Sequence, residues 1–273
     1  MSPTNKVIVF DTTLRDGELT PGVKMNLQQK MSISQVLEAM RVDVIEVGYP
    51  GRYQKDFAEV FEISKIIKQS TICALASANP QEIELAAAAI EPATKPRIHT
   101  YASVNIRRDS QVEREVLESI KDSVRLARTY CDDVEWTAFD ATRSDSDFLC
   151  KAIETAISSG ATTVNIPDSL GLASTAEFSQ LLQLIFNRVS NIDRAIASVH
   201  CHDDLGIAVE NSLAALDCGV RQIEGAIDGL GARKGNADLR TVVNEIENMS
   251  FYNITIDKSL FPTVSDLVAK VIN

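Results

Sequence analysis

The stretch KVIVFDTTL (6–14), followed after a loop by LQQKMSISQVLEAM (27–40), joins a run of β-branched residues to an amphipathic segment. An apolar run of this kind is typical of a strand that is buried on both faces in a parallel sheet. The second segment has the spacing of apolar residues expected of a surface helix. The pair therefore predicts one βα unit, and the chain repeats this pattern.

Seven further strand–helix pairs follow, with no linker or low-complexity segment between them. Eight such units over about 250 residues are what a (β/α)8 barrel requires. We therefore predict an α/β fold, the TIM barrel, over residues 1–250, and a C-terminal extension with one helix over 251–273. A doubly wound open sheet is the alternative, which the absence of a GxGxxG fingerprint in the first unit disfavours. The predicted strands are 42–50, 71–78, 96–103, 133–141, 162–170, 195–205 and 221–231, and the predicted helices are 55–69, 80–90, 113–130, 145–160, 174–190, 208–219 and 238–249.

The composition limits the classes of protein to which the chain can belong. Of 273 residues, 45% are apolar, which is enough for a large core, and the net charge of −11 disfavours a broad nucleic-acid interface. The N-terminus lacks the apolar segment of a signal peptide, and no run is long enough to cross a bilayer. We expect a cytoplasmic protein without nucleic-acid or membrane partners. Five scattered cysteines without CxxC spacing agree, since they indicate reduced thiols: Cys73, Cys131, Cys150, Cys201 and Cys218.

Polar residues collect at the predicted carboxyl ends of the strands, where the chemistry of such barrels takes place. Two of the three histidines form HCH at 200–202, and residues two apart on a strand point to the same side. Strands 7, 8 and 1 are neighbours once a barrel closes, so Asp16 and Asn236 are expected to approach the two histidines. Two imidazoles beside a carboxylate suit a divalent metal. A pair of structural histidines in a polar loop is the alternative.

Six motifs, in this order along the chain, resemble those of the 2-isopropylmalate synthase family: FDTTLRDGE, IEVGYP, RIHT, TTVNIPDSLG, SVHCHDDLG and GARKGN. Homocitrate and citramalate synthases and, more distantly, 3-hydroxy-3-methylglutaryl-CoA lyase belong to the same superfamily of metal-dependent barrels. The similarity spans residues 6–249. The motif HCHDDLG is closer to the synthases than to the lyases.

The resemblance implies a reaction and a set of roles. The synthases join the methyl carbon of acetyl-CoA to the keto carbon of a 2-oxo acid and then hydrolyse the thioester. By this resemblance Arg15 would stabilise the developing alkoxide, and His99 and Ser169 would contact the 2-oxo acid. A divalent metal (Mg, Mn, Zn or Co) would polarise the keto group. Its ligands would be Asp16, His200 and His202, with Asn236 as a fourth contact.

Five positions depart from the pattern of the family. Two of them are Lys234, where the family has an alanine, and Ser77, where the family often has an arginine. Leu19 replaces the glutamine of RDGEQ, Phe139 replaces a glutamate after the fifth strand, and Ala232 replaces the glutamate of GERAGN. A lost carboxylate removes a group that handles protons. Three functions therefore stay open: an acyltransferase using acetyl-CoA or another acyl-CoA, a metal-dependent C–C lyase or aldolase, and a catalytically impaired paralogue that only binds a ligand.

Family members continue past the barrel into helical subdomains, and many continue into a regulatory domain. The helical part often reaches into the active site of a partner subunit, so the resemblance implies a homodimer. Feedback inhibition through a regulatory domain is not expected of these 273 residues.

Overall fold

A computed structural model describes residues 5–272 and shows a closed barrel of eight parallel strands. Each strand pairs with the next one along the chain, and the barrel closes between the last strand and the first, where Gln222 lies opposite Ile8. The predicted (β/α)8 fold is thus confirmed. The strands are β1 (Ile8–Asp11), β2 (Val44–Gly48), β3 (Thr71–Ser77), β4 (Pro96–Ser103), β5 (Val134–Phe139), β6 (Thr163–Asp168), β7 (Ile196–Cys201) and β8 (Gln222–Gly225).

One α-helix follows each strand and covers the outside of the barrel. In the part of the chain that the structure describes, no helix is both long and apolar enough to span a bilayer. The helices are α1 (Leu27–Ala39), α2 (Gln54–Ile66), α3 (Pro80–Ile90), α4 (Ser110–Tyr130), α5 (Ser146–Ser159), α6 (Thr175–Arg188), α7 (Ala208–Asp217) and α8 (Leu239–Asn248).

Most strands are shorter than predicted, and β7 and β8 are among those that differ most. The predicted strands 195–205 and 221–231 end at Cys201 and Gly225. Beyond these points the backbone also bonds to the loop after β8: Asp203 N donates to Gly235 O (3.0 Å), and Ala226 N donates to Ala237 O (3.1 Å). The first of these bonds ties the loop after β7 to the loop after β8.

Polar caps fix where several helices begin. The Asn26 side chain accepts from Gln29 N (2.9 Å), and the Gln29 side chain accepts from Asn26 N (2.9 Å). Ser174 and Glu177 form the same capping box at the start of α6. Each box satisfies two N–H groups that the helix itself cannot bond. The length of the loop between strand and helix is therefore set by the sequence.

The main hydrophobic core lies between the strands and the helices, where apolar side chains of both are buried. A second, small apolar cluster consists of Phe10, Val44 and Cys73. Phe10 meets the ring of His99 edge-on at 6.1 Å between centroids, so this cluster lies beside polar residues. The inside of the barrel is therefore largely polar.

Arg97 is the central cation of this polar interior. Its guanidinium donates to Asp133 (2.9 Å), to Glu135 (2.8 Å) and to Gln222 (2.9 Å). Glu135 is fully buried, and Gln222 Nε2 donates to both of its oxygens (2.9 and 3.1 Å). Charges inside a protein need such partners, because the loss of their hydration is costly.

Residues 251–272 lie against the barrel. A 3-10 turn (Lys258–Leu260) leads into α9 (Phe261–Ala269), which contacts α1. Val23 forms an isolated bridge with Ile272. The predicted extension thus holds one α-helix within its described part, whereas the predicted domain ends at residues 1 and 273 lie outside the described residues.

The buried ion pairs of Arg97 predict a stability effect. We expect Arg97→Met to lower the free energy of unfolding by about 3–5 kcal/mol, because it leaves the buried acceptors of Glu135 and Gln222 without their donor. Urea denaturation followed by circular dichroism measures this change. Lys121→Met, which removes the exposed pair with Glu118, is the control and should cost less than about 1 kcal/mol. Equal effects of the two substitutions would contradict the prediction.

Candidate active site

The loops at the carboxyl ends of β7, β8 and β1 meet at one end of the barrel. Asp16 lies in the loop after β1, His200 lies in β7, and His202 follows that strand directly. Ligand atoms of these three buried side chains all lie within 4.8 Å of one another. The structure thus places together the three residues that the resemblance implies as metal ligands.

Asn236 joins this group from the loop after β8. Its Nδ2 donates to Asp16 Oδ2 (2.7 Å) and to Leu230 O (2.8 Å). Its Oδ1 is buried and has no hydrogen-bond partner among the described residues. A buried acceptor without a partner is uncommon and calls for a ligand. Gly231 makes room for this amide, since a Cβ at that position would lie 2.3 Å from Asn236 Nδ2.

The two histidine rings turn their Nε2 atoms towards each other, 3.4 Å apart. The other nitrogen of each ring is held from behind. His200 Nδ1 lies 3.0 Å from Glu224 Oε2, and His202 Nδ1 donates to Gly235 O (3.1 Å). Because a carbonyl oxygen only accepts, His202 carries its proton on Nδ1 and presents the lone pair of Nε2. Support of this kind orients imidazoles that bind metals.

The charge state of the group also suits a cation. Burial lowers the pKa of His200 and that of His202 to about 4, so both rings are neutral near pH 7. Burial alone would raise the pKa of Asp16, but Arg15 and the two histidines outweigh it and lower that pKa below its usual value. Neutral imidazoles and ionised carboxylates are the forms that bind metals.

These side chains therefore fit a divalent metal. They offer two imidazole nitrogens, one carboxylate and the unpartnered amide oxygen of Asn236. Two histidines and one carboxylate leave coordination positions free for a substrate. Such a set accepts Mg, Mn, Zn or Co and does not choose among them.

Arg15 is fixed beside this group. Its Nε donates to Glu46 Oε2 (2.7 Å), and its Nη1 donates to Asp16 Oδ1 (3.0 Å). Its side chain is 16% exposed, so part of the guanidinium faces the cavity. A fixed cation at this position can stabilise negative charge that develops on an oxygen held next to the metal.

Ser169 and His99 line the same cavity, whose volume is about 150 Å³. Ser169 Oγ accepts from the backbone N–H of Asp140 (2.9 Å), which leaves its hydroxyl hydrogen for a further bond. His99 lies between Glu46 (2.9 Å) and Thr137 (2.6 Å), so both of its nitrogens are already bound. Ser169 is therefore the better placed of the two for direct contact with a small acid.

Of the positions that depart from the family pattern, Phe139 lines this cavity. Phe139 is 47% exposed, and its ring centroid lies 6.2 Å from that of Tyr101. Leu19 is also 47% exposed and lines a second cavity of about 750 Å³. Ala232 contributes its backbone N–H to Asp16 Oδ2 (3.3 Å). Each of the two cavities is thus apolar at one position, Phe139 in the smaller and Leu19 in the larger, where the family pattern has a polar side chain.

Sequence reasoning did not single out Glu224 or Thr137. Both occupy strand positions two residues after another buried polar residue, in the pairs Gln222–Glu224 and Glu135–Thr137. Polar residues spaced by two inside an otherwise apolar strand face the same side. This spacing is the signal that would have predicted them as part of the barrel interior.

Comparison with known proteins assigns the chain to a family. The model of the HMGL-like family matches residues 6–268. The chain belongs to the HMGL-like family. Its curated relatives include the 2-isopropylmalate synthases of Methylorubrum populi, 44% identical over 279 residues (100% of this chain, 54% of the relative), and of Aquifex aeolicus, 49% identical over 242 residues (87% and 46%). The chain spans about half the length of these relatives, and the resemblance carried by its motifs is confirmed.

Solved structures of other proteins share the barrel. The HMG-CoA lyase of Pseudomonas aeruginosa superposes with a TM-score of 0.81 at 20% identity, covering 98% of this chain and 94% of that one. An HMG-CoA lyase of Acinetobacter baumannii, solved with coenzyme A and 3-methylmalate, gives 0.80 at 17% identity over 98% and 93%. At these identities the likeness shows the common fold.

The geometry of the four side chains predicts metal binding. We expect the protein to bind about one Mn²⁺ per chain in isothermal titration calorimetry. Asp16→Asn should weaken the affinity by more than about 10-fold, the lower limit seen even when an outer partner of a metal ligand is lost. Asp43→Asn is the control, since Asp43 pairs with Lys6 (2.5 Å) outside this cavity. Unchanged affinity of the Asp16 variant would remove Asp16 from the ligand set.

Proposed function

We propose that this barrel is a divalent-metal-dependent acyltransferase that condenses acetyl-CoA, or another acyl-CoA, with a 2-oxo acid. The observation that carries the proposal is the fixed guanidinium of Arg15, which lies against Asp16 at the edge of the metal-ligand candidates. Identities of 44% and 49% to proteins named 2-isopropylmalate synthase support the same reaction class.

Each residue has a defined part in this reaction. When bound, the metal supplies Lewis-acid polarisation of the keto group. Arg15 lies beside the keto oxygen and stabilises its negative charge while the new C–C bond forms. Because Arg15 already donates to Glu46 and Asp16, its guanidinium needs no reorganisation during the step. Ser169 donates its hydroxyl hydrogen to the carboxylate of the 2-oxo acid.

The larger cavity is the place we assign to acyl-CoA. It shares Arg15 and Leu75 with the smaller cavity, so a thioester in one can approach a keto group in the other. Lys24 and Arg52 are exposed on its wall and offer cations to the phosphates of coenzyme A. Tyr53, 41% exposed on the same wall, offers an aromatic face to the adenine ring.

The assay for the proposal measures thiol release from acetyl-CoA with Mn²⁺ and a panel of 2-oxo acids that differ in their side chains. We expect release that requires both the metal and the 2-oxo acid. No release over the whole panel contradicts the acyltransferase. Release of pyruvate from a panel of hydroxy acids would identify a lyase or aldolase instead. Ligand binding without either reaction would identify an impaired paralogue.

The placement of Arg15 predicts a kinetic effect. Arg15→Lys keeps the charge but loses the planar fork that contacts Glu46 and Asp16 together. We expect turnover in the thiol-release assay to fall by about 10²–10³-fold, as when one donor to a developing oxyanion is lost. The thermal unfolding transition should remain cooperative and close to that of the natural protein. Undiminished turnover would exclude Arg15 from the mechanism.

The aromatic residue at the mouth predicts a gain of function. We expect weak turnover of acetyl-CoA with 2-oxoisovalerate, because Phe139 stands where the family pattern has a carboxylate. Phe139→Glu should raise this turnover, since one acid–base group is worth about 10²–10⁴-fold. Phe139→Gln is the matched control and should not. Natural turnover on the order of 1–10 per second, as in ordinary enzymes, would show that the carboxylate is dispensable.

A further inference from the structure

A hydroxyl, an imidazole and a carboxylate form a linear chain of hydrogen bonds in the wall of the small cavity. His99 Nε2 lies 2.6 Å from Thr137 Oγ1, and His99 Nδ1 lies 2.9 Å from Glu46 Oε1. Thr137 and His99 line the cavity with Arg15 and His200. All three members of this triad are buried, with Thr137 at 8% exposure nearest to the solvent side.

The partners of Glu46 decide which way the hydrogens point. Burial alone would raise the pKa of Glu46, but Arg15 and His99 outweigh it and hold that pKa well below its usual range. An ionised carboxylate only accepts, so His99 Nδ1 carries a proton and donates it to Glu46. When the ring carries this one proton, Nε2 is an acceptor and its neighbour Thr137 is the donor.

Asn165 fixes the hydroxyl of Thr137 from the other side. Its Nδ2 donates to Thr137 Oγ1 (2.9 Å), which leaves the hydroxyl hydrogen directed at His99 Nε2. The amide oxygen of Asn165 is buried, belongs to a residue that lines the cavity, and has no partner within residues 5–272. The free oxygen is thus available to a polar group of a ligand in the cavity.

The same atoms do not form a second metal site. Cys73 lies close enough to Glu46 and His99 to complete a ligand set. However, burial raises the pKa of the Cys73 thiol well above its usual value, so it is not a thiolate. Both oxygens of Glu46 already have donors, since Oε2 accepts from Thr12 (2.7 Å) and Arg15 (2.7 Å) and Oε1 faces His99.

Strand β5 shows why this triad matters here. Phe139 and Thr137 lie two residues apart on it and face the same side, Phe139 at the mouth and Thr137 deeper. Phe139 cannot take up a proton. Of these two side chains, Thr137 is therefore the one that can exchange a proton with a ligand in the cavity. A hydroxyl that is hydrogen-bonded to an imidazole–carboxylate pair is the arrangement that activates an oxygen in enzymes.

We infer that Thr137, His99 and Glu46 act as the proton acceptor that removes a methyl proton from the acyl-CoA. The inference rests on the proposed condensation. As the C–H bond breaks, its proton passes to Thr137 Oγ while the hydroxyl's own proton passes to His99 Nε2. The electron pair of that C–H bond is held in the enolate of the thioester, which then forms the new C–C bond, and the π pair of the keto group moves to its oxygen. That oxygen then takes the proton back from the triad.

Threonine variants test the triad in the thiol-release assay. Thr137→Val should lower kcat by about 10²–10⁴-fold, the range for loss of an acid–base group. Thr137→Ser, which keeps the hydroxyl, should stay within about 10-fold of the natural protein. Thr100→Val is the matched control and should leave kcat unchanged, because Thr100 is likewise buried on β4 and its hydroxyl has no partner in the described chain.

Binding measurements separate a proton acceptor from a structural residue. The affinities of the Thr137→Val variant for Mn²⁺ and for the 2-oxo acid should change by less than about 3-fold, well under the 10–100-fold typical of lost metal support. Solvent deuterium should enter the methyl group of acetyl-CoA with the natural protein and not with this variant. A kcat within 3-fold of natural, or a loss explained by weaker binding, overturns the inference.

A third readout does not depend on turnover. The chain has three histidines, so ¹⁵N NMR of the imidazoles resolves each of them. Near neutral pH His99 should carry a proton on Nδ1 and none on Nε2, and the Nε2 shift should change in Thr137→Val and return in Thr137→Ser. A proton on Nε2 overturns the triad even in an active enzyme. Absence of thiol release with the expected tautomer contradicts the condensation instead.

Discussion

Glu46, fully buried in β2, accepts hydrogen bonds from Thr12 and Arg15 at 2.7 Å and faces His99 at 2.9 Å. A carboxylate without water is stable only with such donors. In turn, Arg15 and His99 each depend on it for their orientation. The same carboxylate thus fixes the cation beside the metal-ligand candidates and the imidazole of the triad, and both would reorient if it were lost.

The polar interior of the barrel extends this arrangement to the metal-ligand candidates. Burial, together with the neighbouring Glu224, raises the pKa of Glu135, and burial raises that of Glu224. Two carboxyl groups that interact in this way share protons and lower the charge that is buried. Arg97 supplies the remaining counter-charge. Glu224 can therefore be buried next to His200 Nδ1 without a separate cation as its ion-pair partner.

The fold is predictable from the sequence because each strand buried in a parallel sheet appears as an apolar run. Eight such runs, each followed by a helix, are the number that closes into a barrel. The HCH spacing predicts two rings on one side, and closure of the barrel brings Asp16 and Asn236 to them. The triad is not predictable in this way. Glu46 and His99 are 53 residues apart, and their contact depends on the register of β2, β3 and β4. The apolar pattern does not specify this register, since every one of these strands is buried on both faces.

The two ends of the Asn236 amide differ in their hydrogen bonding, and this difference is visible only in the structure. Its nitrogen is occupied by Asp16 and Leu230, whereas its oxygen has no partner in the part of the chain described. A sequence states that an amide is present and does not state which of its atoms is free. The same holds for Ser169, whose oxygen accepts from a backbone N–H of the neighbouring strand end while its hydrogen remains available.

Arg15 and Leu75 belong to the walls of both cavities. In the proposed reaction, one cavity selects the 2-oxo acid and the other selects the acyl group. A substitution at Leu75 alters both walls at once, and residues that share contacts have non-additive effects. Through Leu75, the two selectivities of this barrel cannot be changed independently. An evolutionary path towards a bulkier 2-oxo acid through Leu75 would change acyl-group preference in the same step.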